Sequence, residues 1–230
     1  MTVIGTNISS LRAANASMSA SNQLSTAMER LSTGKRINSA KDDAAGLAIS
    51  TTMTSQIRGM NQGIRNSNDG IALAQTADGA LGEVTNMLQR IRELATQAAS
   101  DTYSANDRTN MQTEVTALTT QIDSIVKNTQ FNGTALFGAD TEGVGNGAAT
   151  AKTIQTGANT NDKLVLDIGD LSDLVDLTVT LGGTAALANA NLSEVDELIK
   201  TVNDVRAGLG AAQSQLQSTV NNTTANVTNL

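Results

Sequence analysis

From Met53 onward the chain places small or apolar residues at Met53, Ile57, Met60, Ile64, Ser67, Ile71 and Ala74, and continues through Ala77, Leu81, Val84, Leu88, Ile91, Ala95 and Ala98. The gaps alternate between four and three, with one extra three at Ala77, so the stripe is heptad-like with a local stammer that overwinds the supercoil. No proline occurs anywhere to interrupt it. A helix from about Ala44 to Ala99 would be roughly 80 Å long at ~1.5 Å per residue. A compact domain of this chain length has a radius of gyration of only about 17 Å. The expected molecule is therefore elongated.

Two further segments complement this stripe. Met111, Val115, Leu118, Ile122 and Ile125 follow the turn DTYSAND, and Val195, Leu198, Val202, Val205, Leu209, Ala212 and Leu216 continue weakly through Thr219 and Thr223. At the N-terminus Ile4, Leu11 and Met18 are spaced by seven, as are Leu24 and Leu31. The expected fold class is mainly α: an elongated rod of long coiled-coil-like helices with a small β-hairpin region. Gly59, Gly63, Gly70, Gly79 and Gly82 each cost the long helix about 1 kcal/mol relative to Ala. They either permit close helix contacts or mark a helix that orders fully only on assembly.

Between Phe131 and Ala190 the pattern changes. Leu164, Leu166 and Ile168 alternate, as do Val175, Leu177, Val179 and Leu181 before Gly182–Gly183, and both runs read as half-buried strands. GADTEGVGNGAAT is a small-residue loop. Its Gly143, Gly145 and Gly147 lack the leading apolar strand and the spacing of a nucleotide loop.

Composition excludes most chemistry. There is no His and no Cys among 230 residues. That removes Ser-His and Cys-His nucleophiles, His/Cys zinc sites and disulfides together. A net charge of −7 argues against a nucleic-acid partner. No apolar run approaches the ~18 residues of a membrane span, and the N-terminus lacks the basic and apolar regions of a signal peptide. The expectation is a protein without cofactor or metal that is not an enzyme.

GKRINSAKDDAAGLAIS, Gly34–Ser50, concentrates charge just before the long stripe. Ser39 followed by Asp42 has the spacing of a helix N-cap with an acidic residue three positions on. Asp42 and Asp43 would then sit in the first turn, where the helix dipole favours carboxylates. Adjacent helix positions point about 100° apart, so the pair is badly placed to chelate one metal. Gly34 stands where the preceding helix should stop.

The particular letters carry more. RLSTGKRINSAKDDAAGLAIS resembles the N-terminal signature of bacterial flagellins, and the resemblance continues through RNSNDGIALAQTADGALGEVTNMLQRIRELATQAAS and NTQFNGTALF. It resumes weakly at IQTGAN and again at VNDVRAGLGAAQSQLQSTVNN. The resemblance implies a filament subunit that packs with copies of itself. Residues 1–43 correspond to the innermost filament-core helix and its spoke, and 44–137 to the N-terminal helices of the rod. Residues 138–190 correspond to a short variable and β-hairpin region, and 191–230 to the returning C-terminal helix. The stripe Ile4, Leu11, Met18, Leu24 and Leu31 becomes a candidate assembly surface.

The same resemblance implies export unfolded through the flagellum's own type III channel with a chaperone. It also implies contact with filament-cap and hook-associated proteins, and an extracellular location. Gln89, Arg90, Arg92 and Glu93, with Glu114 on the next helix, match the patch recognised by the animal Toll-like receptor that senses flagellin. Flagellins end in a further helix that pairs with the N-terminal one, and NNTTANVTNL stops short of it. The expectation is a truncated chain that alone will not form filaments. The alternatives are a hook–filament junction protein and a flagellin-like surface protein that binds polysaccharide; the absence of Trp and the single Tyr disfavour the latter.

Overall fold

A computed structural model describes residues 7–138, 151–175, 177–181 and 184–230. The order is α1 (Ile8–Thr33), α2 (Ala44–Ala98), α3 (Ala105–Asn128), β1 (Gln130–Phe131), β2 (Thr134–Ala135), β3 (Ala151–Gln155), β4 (Lys163–Asp167), a 3-10 turn at Ser172–Leu174 and α4 (Ala185–Asn229). The fold is mainly α, as the sequence implies, with two small antiparallel two-stranded sheets among the described residues. The chain divides into two compact units, Met1–Gln56 and Ile57–Leu230.

In the first unit, Asn7 caps α1 by accepting a hydrogen bond from the Ser10 amide at 3.2 Å. Gly34 ends α1 in the left-handed conformation, φ 65°, which a side chain would resist. No residue of α1 is buried.

In the second unit the predicted stripes meet. Ala74, Ala77, Leu81, Val84, Leu88, Ile91, Ala95 and Ala98 of α2 are fully buried. They pack in one core with Met111, Val115, Ile122 and Val126 of α3 and Val195, Leu198, Val202 and Leu209 of α4. The hairpin β1–β2 turns on Asn132 and Gly133, both at positive φ (50° and 76°). Its continuation delivers Leu136 and Phe137 into the core. Asn-Gly between two short apolar runs is a hairpin signal that the sequence reading passed over.

β3 pairs with β4 from Ala151↔Asp167 to Gln155↔Lys163. Leu164 and Leu166 face inward, as their alternation predicts. The turn of this hairpin lies against the glycines of α2. A Cβ on Gly63 would run into the backbone of Thr156, and one on Gly59 would meet Ala158 Cβ at 2.7 Å. Gly79 and Gly82 face open space. The five glycines therefore divide into those that admit the hairpin and those that touch nothing.

One expected strand is not a strand. Leu177–Leu181 pairs with no strand among the described residues, although Val179 and Leu181 are buried between exposed Thr178 and Thr180. Side-chain amides replace the ladder. Gln112 Nε2 donates to the Val179 carbonyl at 2.8 Å, and Gln112 Oε1 accepts from the Leu181 amide at 2.5 Å. Asn191 Nδ2 donates to the Thr180 carbonyl on the other edge, also at 2.5 Å. Alternation predicted which side chains go inside, but a helix supplies the backbone partners.

Candidate functional site

Between α1 and α2 the structure corrects the expected cap. Ser39 is not the N-cap of α2, which starts at Ala44. Asp42 turns its carboxylate back to accept from the amides of Asn38 (3.1 Å) and Ser39 (3.0 Å) and from Ser39 Oγ (3.2 Å). These bonds close a separate turn and consume the Ser39–Asp42 spacing. They also hold the Asp42 carboxyl below its ordinary value, the Ser39 amide contributing most. Asp43 caps the helix instead, Oδ1 accepting from the Gly46 amide at 2.8 Å. The two carboxylates serve different backbone groups.

The candidate assembly stripe lies on α1. Leu11, Met18, Leu24 and Leu31 are 53%, 59%, 62% and 88% exposed, while Ile4 lies outside the described residues. Ile8 and Met28 are exposed as well. Met28 follows Leu24 by four and precedes Leu31 by three, a helical spacing that heptad counting missed. Together these side chains make an apolar face on α1 with no buried member.

The second candidate surface spans two helices. Leu88, Ile91 and Ala95 are fully buried, which leaves Gln89, Arg90, Arg92 and Glu93 on the outside of α2. Arg90 Nε donates to Glu114 Oε1 on α3 at 2.8 Å, and Arg90 Nη1 to Glu93 Oε2 at 3.0 Å. Arg90, Glu93 and Glu114 thus form one exposed charge cluster. The Glu114 bond, then the Glu93 bond, push the guanidinium further toward its charged form.

Arg92 faces the other way and makes a two-pronged pair with Asp196 on α4, at 2.5 and 3.3 Å. Asp196 is a partner that sequence reading did not find; it lies 104 residues away, next to buried Val195. Arg92 holds the Asp196 carboxyl below its ordinary value. Arg108 was also missed. Almost wholly buried, it donates to the carbonyls of Ala98 (2.9 Å) and Ser100 (3.0 Å), satisfying the C-terminal end of α2.

Nothing in the described residues gathers three His, Cys, Asp or Glu in a way that could hold a metal ion. No described helix is long and apolar enough to cross a membrane. The exposed features are helix faces and charge clusters. They define a class: a mainly helical protein whose exposed features lie on its helix faces.

The comparisons narrow that class. The model of the bacterial flagellin N-terminal helical region matches residues 4–141, and that of the bacterial flagellin C-terminal helical region matches residues 192–230. The chain belongs to the bacterial flagellin family. A flagellin of Salmonella choleraesuis is 39% identical over 220 residues, 92% of this chain and 42% of the relative, so the chain spans less than half that relative's length. The crystal structure of Bacillus cereus flagellin superposes with a TM-score of 0.61 at 33% identity, covering 69% of this chain and 88% of that one. A Vibrio parahaemolyticus structure described as a flagellar hook-associated protein superposes with a TM-score of 0.64. It is 16% identical, covers 82% of this chain and 95% of that one, and is a likeness of fold alone.

Proposed function

We propose that this chain is a structural subunit of the bacterial flagellar filament, acting outside the cell by packing against copies of itself and carrying out no catalysis. The observation that carries the reading is the contrast on α1, where an apolar stripe has no buried member although α2, α3 and α4 seal theirs in a core of their own. Burying a Leu or Met side chain contributes about 1.5–3 kcal/mol, so such a stripe is a strong driver of association. Within this reading residues 1–43 serve the filament core, 44–137 and 191–230 the rod, and 138–190 the outer surface. Export apparatus, chaperone, cap and hook-associated proteins are the further partners.

Immunogold electron microscopy of the source cells, with an antibody against Gly138–Ala190, tests the role. Gold along whole filaments is expected. Gold confined to the hook boundary would make the chain a junction protein, and gold over the cell body with bare filaments a surface-binding protein.

The convergence of Arg90, Glu93 and Glu114 supports a second role, recognition of the monomer by the animal Toll-like receptor for flagellin. Reporter cells should respond to the chain and respond less to Arg90→Ala. Cells silent to both would count against it.

A further inference from the structure

The exposed face of α1 is not built from aliphatic side chains alone. Met18 and Met28 lie on it, 59% and 64% exposed. Met18 follows Leu11 by two helical turns, and Met28 sits four residues after Leu24 and three before Leu31. Leucine would cover the same area at either position. What methionine adds is a thioether sulfur, which an oxidant can turn from apolar to polar.

Composition directs oxidation to sulfur. The chain has no Cys, no Trp and no His, and a single Tyr. Its seven methionines are therefore the groups most open to a mild two-electron oxidant. Burial then sorts them. Met111 is buried in the core of α2, α3 and α4, Met87 is half-buried against that core, and Met60 is half-buried on α2. Met1 lies outside the described residues. Met53 is exposed as well, but it belongs to α2 and not to the α1 stripe. Two of the three exposed sulfurs among the described residues thus stand on the one apolar face that has no buried member.

We propose that Met18 and Met28 are a redox-sensitive modification site, at which a peroxide-class oxidant switches off the packing of α1 against other copies of the chain. The sulfur lone pair attacks one peroxide oxygen, an S–O bond forms and the O–O bond breaks. The proton of the transferred hydroxyl passes to the departing hydroxide, which leaves as water. Sulfur loses two electrons and the peroxide gains them. A thiol-dependent reductase reverses the step, giving back the thioether, a disulfide and water.

The switch deepens the filament-subunit reading and rests on it, since it regulates the surface on which that reading depends. Its effect falls on association and not on folding. In the free chain the sulfoxide oxygen of Met18 or Met28 stays in water, which satisfies it. Packing against a second copy would strip that water and leave a strong acceptor in an apolar contact. Losing the burial of one methionine alone corresponds to roughly tenfold or more in an association constant.

The test treats the intact chain with hydrogen peroxide and follows three readouts. Peptide mapping by mass spectrometry should find sulfoxide at Met18 and Met28 well before Met111. Circular dichroism melts of the oxidised chain should match those of the untreated one. Sedimentation velocity should show self-association about tenfold weaker or more after oxidation, restored by the two methionine sulfoxide reductases, one for each sulfoxide epimer. Met18→Leu/Met28→Leu supplies the control. It keeps an apolar face and an oxidisable Met53, and its association constant should be the same before and after peroxide.

Met111 oxidising as fast as Met18 and Met28 would overturn the site. So would oxidised wild type that associates as well as untreated chain, or the double variant losing as much association to peroxide as wild type does. A wild-type chain that is monomeric before any oxidant is added would overturn the switch too. The filament-subunit reading is judged separately by where the gold particles fall.

Discussion

In residues 57–230 the stripe of α2 at Leu81, Val84, Leu88 and Ile91 is sealed by α3 and α4 until no water reaches it. In residues 1–56 the stripe of α1 at Leu11, Met18, Leu24 and Leu31 has the same kind of periodicity and no buried member. Sequence pattern alone does not separate the two, because periodicity records that a face is to be covered and not by what. The difference is one of partner. The second unit finds its partners within the chain, and the first presents its face outward.

Substitutions can break that comparison. Leu88→Ala should cost about 2–5 kcal/mol of unfolding free energy, from lost transfer energy and the cavity left behind. Leu24→Ala, on the exposed stripe, should change it by less than about 0.5 kcal/mol. Urea titration followed by circular dichroism reads both. Equal costs would mean that α1 packs within its own chain in solution.

Next come the glycines. Gly63→Ala should destabilise by about 1–3 kcal/mol, because the new methyl would press on the backbone of Thr156, which cannot swing aside as a side chain can. Gly79→Ala meets nothing and should stabilise the helix by up to about 1 kcal/mol. Opposite signs are expected on one helix. If Gly79→Ala also destabilised the chain, the open face of α2 would have a partner in solution.

Arg108→Ala should cost about as much as Gly63→Ala. It leaves the buried carbonyl of Ala98 and the half-buried carbonyl of Ser100 without their donor, at a cost of about 1–3 kcal/mol. Thermal melts would show it, and Arg108→Lys should recover only part, since one ammonium does not reproduce the two-nitrogen fork.

These cases mark what could be read from the letters. The length of α2 was visible because a stripe of more than forty residues leaves little choice, and Gly34 was visible as a stop because few other residues take its conformation. Leu164 and Leu166 were visible from their alternation. Leu177–Leu181 misled because alternation describes burial, while strand pairing depends on a neighbour, here the amide of Gln112 on a distant helix. Ser39 misled because a carboxylate three residues on serves a turn as well as a cap. The pairing of Arg92 with Asp196 and the fate of each glycine are facts of tertiary contact, and no local pattern encodes them.

The smallest expected effect sharpens the same comparison. Asp42 in the first unit and Asp107 in the second each anchor a turn through a serine. Asp107 caps α3 with Ser104 in a reciprocal box, Oδ2 accepting from the Ser104 amide at 3.0 Å and the Ser104 hydroxyl at 2.7 Å. Both carboxyls titrate below their ordinary value, Asp107 chiefly through the Ser104 side chain and Asp42 chiefly through the Ser39 amide. A depressed native pKa means that the contribution is complete above the unfolded value of about 3.9 and is lost as pH falls through the lower native one. Acidification should therefore loosen both turns below about pH 4 and neither above it. The consequences differ, because α3 is also held by buried Met111 and Val115, whereas no buried side chain supports the turn at Asn38–Asp42. Amide hydrogen exchange should show Asn38 and Ser39 losing protection at a higher pH than Ser104. Simultaneous loss would mean that the first unit is held by more than local polar bonds, and its exposed stripe would then need another explanation.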